Sequence, residues 1–573
     1  MMYNIKETEF DGVYVKYDGE SAVIGYKTNP QRERALTLLS INAKKGAFEI
    51  SQKPHFDTVG PMIDVSRGKV MTVEGIKRVI DSIVKIGMNM LMLYTEDMFE
   101  LVDYPQFGYL RGRYTVEELK EIDRYGREKG VELIPCMQTF GHLEQYIKTP
   151  EGKKLRDTNR VIMAGEDETY KFIEAEIKVM REAFSTERIH LGMDETQGLG
   201  TGNYLKKNGY CPSAEIYNEH LARVLEISKK YFKEPMIWSD MVFESPLGVY
   251  PRGFVPSQET VDATPKGVDL VFWDYYHTDY DWYRHHVDQH ARFDGKTWFG
   301  GGVWTWNGII PNFEFTMRST KPALEACVKG GVRDVIATMW LSGGCGADIM
   351  QGLAGLCIFS EYCYRGTGCT DDDIFEMSEA VFGVDRELFY AIADVYLGAN
   401  SASGLANAFV FSDPLLNLMH YDIDYKNAIE IFKKAKSTVA EHTDYAFRDF
   451  TVKLYDIAIT RAEILMDLRP AYKSGDTDCI KKTAEVLLPR LLADTKEFYR
   501  IFKKMWYANS KTFGIEMTTH DFGGVILRIE DAIELLTDYI DGKTDRIEAL
   551  EPEILSGLNM TWRANTSYLS VFR

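Results

Sequence analysis

Two neighbouring carboxylates, Asp194 and Glu195, close the run His190-Leu191-Gly192-Met193-Asp194-Glu195. Adjacent residues of a strand point to opposite faces, so both acids reach one cavity only where a strand ends. A vicinal pair of this kind divides its labour. One carboxyl, raised in pKa by burial and by the neighbouring charge, can protonate a leaving oxygen. The other can orient and charge-stabilise a substrate group that itself acts as the nucleophile. A lone Asp-Glu dipeptide is common, so the pair gains meaning only from what stands around it.

The elements that would place it at a strand end are visible in the alternation of the chain. From about Val59 to Tyr362 short apolar runs alternate with longer amphipathic segments. GPMIDVSRG (60–68), MNMLMLY (88–94), VELIPCMQ (131–138) and RIHLGMDE (188–195) read as four strands. PMIWSDMVF (235–243), DLVFWDYY (269–276), GKTWFGGGVWTW (295–306) and DVIATMWLSGG (334–344) read as four more. Helices such as TVEGIKRVIDSIVKIG (72–87) and EDETYKFIEAEIKVMREAF (166–184) separate them. Strands apolar on both faces belong to a parallel sheet covered by helices. Eight such repeats over roughly 300 residues match an α/β fold of the closed (β/α)8 TIM-barrel type. An open doubly wound sheet is the alternative, but no G-x-G-x-x-G follows the first strand.

In front of the barrel, residues 11–27 read as a hairpin, 30–46 as a helix and 46–54 as a strand. Behind it come long amphipathic helices, among them 425–442, 447–468 and 525–542. The expected domains are a small N-terminal α+β appendage (1–57), the barrel (58–366) and a C-terminal helical domain (367–573). Within the last, Trp506, Asn509 and Glu516 either pack a loop between two helices or reach the barrel mouth or a partner subunit.

Active sites of such barrels lie at the C-terminal strand ends. There stand Asp64 and Arg67, then Glu96 and Asp97, then His142, and then the acid pair. Trp238 and Asp240 follow, then Trp273, Asp274, Tyr275 and Tyr276, then Trp304 and Trp306, and finally Trp340. Acids ringed by tryptophans suit a small polyol pocket, since the apolar face of a pyranose stacks on an aromatic ring.

The run at 190–195 resembles the H-x-G-x-D-E signature of glycoside hydrolase family 20, the β-N-acetylhexosaminidases. DVSRG (64–68), the stretch from Tyr104 into the third strand, and FGH (140–142) resemble other family segments in the same order. The likeness covers most of the barrel and is nearest to compact bacterial members. It implies an exo-acting enzyme that removes terminal non-reducing β-linked GlcNAc or GalNAc through an oxazolinium intermediate. Glu195 would be the general acid and then the base. Asp194 would hold the 2-acetamido nitrogen. Arg67 would bind outer hydroxyls, and His142 would support the acid pair. Trp238, Trp304 or Trp306, and Trp340 would wall the pocket. Tyr275 or Tyr276, the latter preferred, would donate to the acetamido oxygen, and Asp240, Trp273 and Asp274 complete the candidate binding set. Three segments depart from the family pattern. Trp340 is followed by Leu341-Ser342 instead of Gly-Glu, the third-strand turn Met137-Gln138-Thr139 lacks an acid, and Trp273-Asp274-Tyr275-Tyr276 replaces Tyr-x-Asp. The choice between GlcNAc and GalNAc stays open.

A net charge of −19 argues against nucleic acid and anionic membrane as partners. The expected partner is a glycan ending in β-N-acetylhexosamine, and a homodimer through the helical tail is the favoured assembly. The opening MMYNIKETEF lacks a secretory layout, and the eight cysteines show no C-x-x-C spacing, so free thiols and a cytoplasmic location are expected. No cofactor or metal motif is visible. Two other functions compete: a retaining β-glycosidase with Asp240 or Asp274 as nucleophile, and a catalytically silent glycan-binding barrel.

Overall fold

The structure, a computed structural model, describes residues 4–244, 250–341, 346–398, 405–416 and 423–553. Asn559 and Asn565, each opening an N-x-S/T sequon, lie outside these, as do Ser342 and Cys345. Seven free cysteines are described. No described helix is long and apolar enough to cross a membrane.

The chain opens on a four-stranded sheet of β1 (Asn4–Glu9), β2 (Val13–Tyr17), β3 (Ser21–Tyr26) and β4 (Phe48–Gln52), in the order β1-β3-β2-β4. The expected hairpin is β2–β3, and β4 pairs antiparallel with β2. β1 was not expected: it runs parallel to β3 at the sheet edge. Its residues NIKETE are almost wholly exposed, so no apolar alternation marks it. The helix Asn29–Asn42 starts at a capping box in which Thr28 and Gln31 satisfy each other's backbone N–H groups.

The barrel is closed by eight parallel strands: β5 (Thr58–Asp64), β6 (Met90–Tyr94), β7 (Glu132–Cys136), β8 (Arg188–His190), β9 (Glu234–Trp238), β10 (Asp269–Trp273), β11 (Thr297–Gly302) and β12 (Asp334–Met339). Closure falls between β12 and β5, where Asp334 faces Thr58 and Met339 faces Ile63. All seven residues of β5 are buried, as a strand between core and helices requires. Gly60 lets β5 approach β6, since a Cβ there would lie 1.7 Å from the Met90 carbonyl oxygen. Thr72 and Thr115 cap the first two barrel helices, Val73–Ile83 and Val116–Lys129.

The chain divides into two compact units, and the division is not the sequential one expected at 57 and 366. The first unit is 1–303, 316–340 and 353–382, so the N-terminal sheet belongs with the barrel. Arg34, fully buried on the helix Asn29–Asn42, gives the reason. Its guanidinium makes a bidentate pair with Glu361 (2.7 and 3.0 Å) and lies 4.1 Å over the Tyr364 ring. Both partners sit on the helix Leu356–Arg365, which follows the last barrel strand.

The second unit takes 304–315, 341–352 and the helical chain from 383 onward. Its long helices are Tyr425–Glu441, Arg448–Ser474, Leu488–Asn509 and Ile515–Ile540. Phe450 stacks on Phe498 at 4.6 Å, and Phe502 packs on Phe522. Trp506 is fully buried and donates its indole N–H to the Lys511 carbonyl at 2.8 Å. Glu516 accepts from the Gly514 N–H. These contacts are those of the helix-packing reading.

Candidate active site

The acid pair lies just past β8, in a turn that a strand could not make. Gly192 and Met193 both have φ 72°, and Glu195 has φ 45°. These left-handed residues let Asp194 and Glu195 share one side of the chain. Gly192 is required, because a Cβ there would meet Gln138 Oε1 at 2.1 Å. Of seven described non-glycine residues with positive φ, four are Glu96, His142, Met193 and Glu195. Such backbone costs on the order of 1–3 kcal/mol per residue and persists only when its surroundings hold it. Here they do. Met193 N–H donates to Gln138 Oε1 at 3.2 Å, and Glu195 N–H donates to Asp240 Oδ2 at 2.8 Å.

The two carboxyls sit in different electrostatic surroundings. Asp194 accepts from the Gln138 amide at 2.8 Å, and His142 Nε2 lies 3.1 Å from its Oδ2. That contact is at ion-pair distance. Burial alone would raise the Asp194 pKa, but the His142 charge and the Gln138 bond outweigh it and hold it below the ordinary carboxylate value. His142 shows the reciprocal effect: burial opposes its charge, yet Asp194 lifts it to about 9. Glu195 is farther from the imidazole, at 3.5 Å, and burial followed by the Asp194 charge pushes its pKa up. The two neighbouring carboxyls are thus shifted in opposite directions.

Beside them Arg67 donates from Nε to Glu96 Oε1 (3.2 Å) and from Nη2 to the Tyr94 hydroxyl (3.3 Å). Its guanidinium lies 4.9 Å from the Trp340 ring centroid. Asp64 fixes the turn below by accepting from Ser66 and Arg67 backbone N–H groups. Arg111 ties the next loop down by pairing with Asp97 and donating to the Ser66 carbonyl.

The tryptophans divide. Trp238 and Trp340 pack 5.9 Å apart, and Tyr94 meets Trp340 edge-on at 4.7 Å. The buried Trp238 indole N–H has no hydrogen-bond partner among the described residues. Trp273 stacks on Tyr275 and donates to Asp240 Oδ1 at 3.4 Å. Trp304 and Trp306 stack on each other at 4.3 Å within the second unit.

Two of the expected binding residues are committed to hydrogen bonds within the protein. Asp240 is fully buried behind Glu195 and takes the Glu195 and Trp273 N–H groups, so it braces the acid turn. Burial, then the Asp194 charge, raise its pKa far above the usual range. Asp274 is likewise buried, and accepts from Tyr276 N–H, His277 N–H and the Tyr283 hydroxyl. It closes a turn. Of the two tyrosines, Tyr275 is buried with its hydroxyl accepting the Trp340 indole N–H at 2.9 Å, whereas Tyr276 is 44% exposed. Burial raises the Tyr276 pKa, with Glu195 the next cause, which places its hydroxyl in the field of the acid.

Sequence reasoning passed over Gln138, which bridges Asp194, Met193 and the Tyr94 hydroxyl. It also passed over His220, whose ring stacks on Phe140 at 3.9 Å and bonds the Thr139 carbonyl beneath the His142 turn.

A closed (β/α)8 barrel with two adjacent carboxyls of opposite pKa shift past a strand end, flanked by arginine and tryptophan, has the layout of a barrel glycoside hydrolase. Residues 56–281 match the model of the glycosyl hydrolase family 20 catalytic domain, and residues 399–564 match that of the glycoside hydrolase 20C C-terminal domain. The chain belongs to glycoside hydrolase family 20.

It is similar to Hexosaminidase D of Homo sapiens, 26% identical over 199 residues, which cover 33% of this chain and 39% of the relative. Beta-hexosaminidase 1 of Arabidopsis thaliana is 25% identical over 270 residues, covering 44% and 48%. The chain thus spans about two fifths to one half of these relatives' length. Among solved structures, the Streptomyces plicatus N-acetyl-beta-hexosaminidase in complex with Thio-NAglucal superposes with a TM-score of 0.51 at 16% identity, over 66% of this chain and 84% of that one. The Vibrio harveyi GH20 exo beta-N-acetylglucosaminidase bound to N-acetylglucosamine gives 0.51 at 14%, over 68% of each. Both likenesses show the shared fold.

Proposed function

We propose that this chain is an exo-acting β-N-acetylhexosaminidase that hydrolyses terminal β-linked GlcNAc or GalNAc with retention, using the substrate's own acetamide as nucleophile. The observation that carries this is the unequal setting of two adjacent carboxyls: Asp194 is held by His142 at 3.1 Å and by the Gln138 amide at 2.8 Å, while Glu195 lies farther from the imidazole at 3.5 Å and burial shifts its pKa upward.

In the first step the acetamido oxygen attacks the anomeric carbon, and the bond to the leaving oxygen breaks. Glu195 gives that oxygen its proton. Asp194 accepts from the acetamido N–H and balances the positive charge that develops on the ring now forming. In the second step the Glu195 carboxylate takes a proton from water, the water oxygen bonds to the same carbon, and the acetamide is restored. Two inversions give retention. Arg67 holds outer hydroxyls through charge-assisted bonds. Trp238 and Trp340 wall the sugar, and Tyr276, the exposed tyrosine of the pair, donates to the acetamido oxygen.

The relatives named hexosaminidase support this reading. A protein nucleophile at Asp240 or Asp274 is disfavoured by their burial and filled hydrogen bonds. The test is release of p-nitrophenol from matched β-GlcNAc, β-GalNAc and β-glucose aryl glycosides. Cleavage of the acetamido sugars alone, largely lost in Asp194→Ala, is expected. Equal cleavage of the glucoside would overturn acetamide participation, and silence on all three would leave a binding protein.

A further inference from the structure

Glu96 pairs with Arg67 at 3.2 Å and has no part in the proposed mechanism. It ends the β6 turn in a left-handed conformation (φ 40°) that a glutamate adopts at a cost. Its carboxylate is lodged by one oxygen only: Oε1 accepts from Arg67 Nε at 3.2 Å and from the Tyr94 hydroxyl at 3.1 Å. Among the described residues Oε2 accepts no hydrogen bond, and the side chain is 8% exposed. A carboxylate buried this far normally fills both oxygens. The other polar groups around it are committed. Gln138 spends its amide on Tyr94 and Asp194 and its carbonyl on Met193. Asp64 closes its own turn, and Asp97 is paired with Arg111. Arg67 is a donor and Glu96 an acceptor, 3.2 Å apart. A sugar hydroxyl is both. One hydroxyl that accepts from Arg67 while donating to Glu96 Oε2 would satisfy both groups at once.

We infer that Glu96 is a specificity-determining residue that accepts a hydrogen bond from an outer hydroxyl of the terminal sugar, forming a two-sided clamp with Arg67. The inference rests on the proposed glycosidase activity. It also gives the site a hydroxyl-binding carboxylate where the third-strand turn carries Gln138 and Trp340 is followed by leucine. The ligand class is a pyranoside read at one hydroxyl-bearing carbon.

The test pairs enzyme and substrate deletions. Wild type, Glu96→Gln and Glu96→Asp are assayed on p-nitrophenyl β-GlcNAc and on its 3-, 4- and 6-deoxy analogues. A hydrogen bond to a charged group is worth roughly a ten- to hundred-fold factor, so Glu96→Gln is expected to lose that much kcat/KM on the parent. On one deoxy analogue the further loss is expected to shrink to about three-fold or less, because the partner hydroxyl is already gone. Glu96→Asp keeps the charge beside Arg67 and shortens the reach, and the same analogue is expected to be the one it treats as wild type does. Equal losses on all four substrates in both variants would overturn the inference and leave Glu96 as a support for Arg67. Failure of wild type to cleave any acetamido glycoside would overturn the functional reading itself, a different and separable result.

Discussion

The backbone N–H of Glu195 donates to Asp240 Oδ2 at 2.8 Å, and the Trp273 indole N–H donates to the other oxygen. One buried acid therefore holds the turn that carries another. Asp240→Asn keeps the size but can accept through a single oxygen, so one N–H loses its partner. The expected result is a roughly ten- to hundred-fold fall in kcat with little change in KM, since small displacements of a reacting group cost that much. Steady-state kinetics on an aryl β-GlcNAc would show the split. A KM effect alone would place Asp240 against substrate instead.

Asp194→Asn and Glu195→Gln are each expected to lower kcat by roughly 10²–10⁴-fold, the range of general acid and charge-stabilising groups. They should differ in their response to the leaving group. A 2,4-dinitrophenyl glycoside leaves without a proton, so it should restore much of the first-step rate in Glu195→Gln and little in Asp194→Asn. Equal restoration in both would exchange or merge the two roles.

The pH profile follows from the sign of each shift. Glu195 must be protonated to act, and burial followed by the Asp194 charge raises its pKa above 4.5. Activity is therefore retained at low pH and lost as pH rises through the shifted value. Removing the anion beside it by Asp194→Asn should move the falling limb of residual kcat/KM to lower pH. His142, lifted to about 9, stays cationic across this range. His142→Phe should raise the Asp194 pKa and bring a rising acid limb into the measured window. An unchanged profile would remove His142 from the electrostatics of the pair.

Arg34→Met should destabilise the first unit by about 3–5 kcal/mol, because it leaves the fully buried Glu361 with Arg365 as its one remaining cation. Denaturant unfolding would measure this as a shift in midpoint. Adding Glu361→Leu should recover most of the loss. Failure of the double variant to recover would show that packing of the guanidinium on Tyr364 is the larger part.

The barrel was legible because its strands are buried on both faces and read as apolar runs, from GPMID to DVIATM. β1 was not, since an exposed edge strand has no apolar face to show. In the candidate site, Asp194 and Glu195 were legible as neighbours at a strand end. Gln138 and His220 were not, because their work lies in contacts 56 and 81 residues away along the chain. The turn-closing bonds of Asp274 were not read, because sequence does not separate a carboxylate facing a cleft from one closing a turn. The signal was present in its spacing, as Asp274 accepts from the N–H groups two and three residues on. The grouping of the N-terminal segment with the barrel was not legible for a related reason. Arg34 and Glu361 lie at opposite ends of the first unit's chain and meet only when it is folded.

That pairing limits how the molecule can be cut. The catalytic-domain match begins at residue 56, and a barrel excised there would keep Glu361 while losing Arg34 and the Gln52 amide beside it. The leading sheet and helix are thus no detachable accessory: the helix carries the cation that pairs with Glu361 on the helix Leu356–Arg365. Grafting this barrel onto another leading segment would succeed only if the newcomer delivered a guanidinium to the same spot.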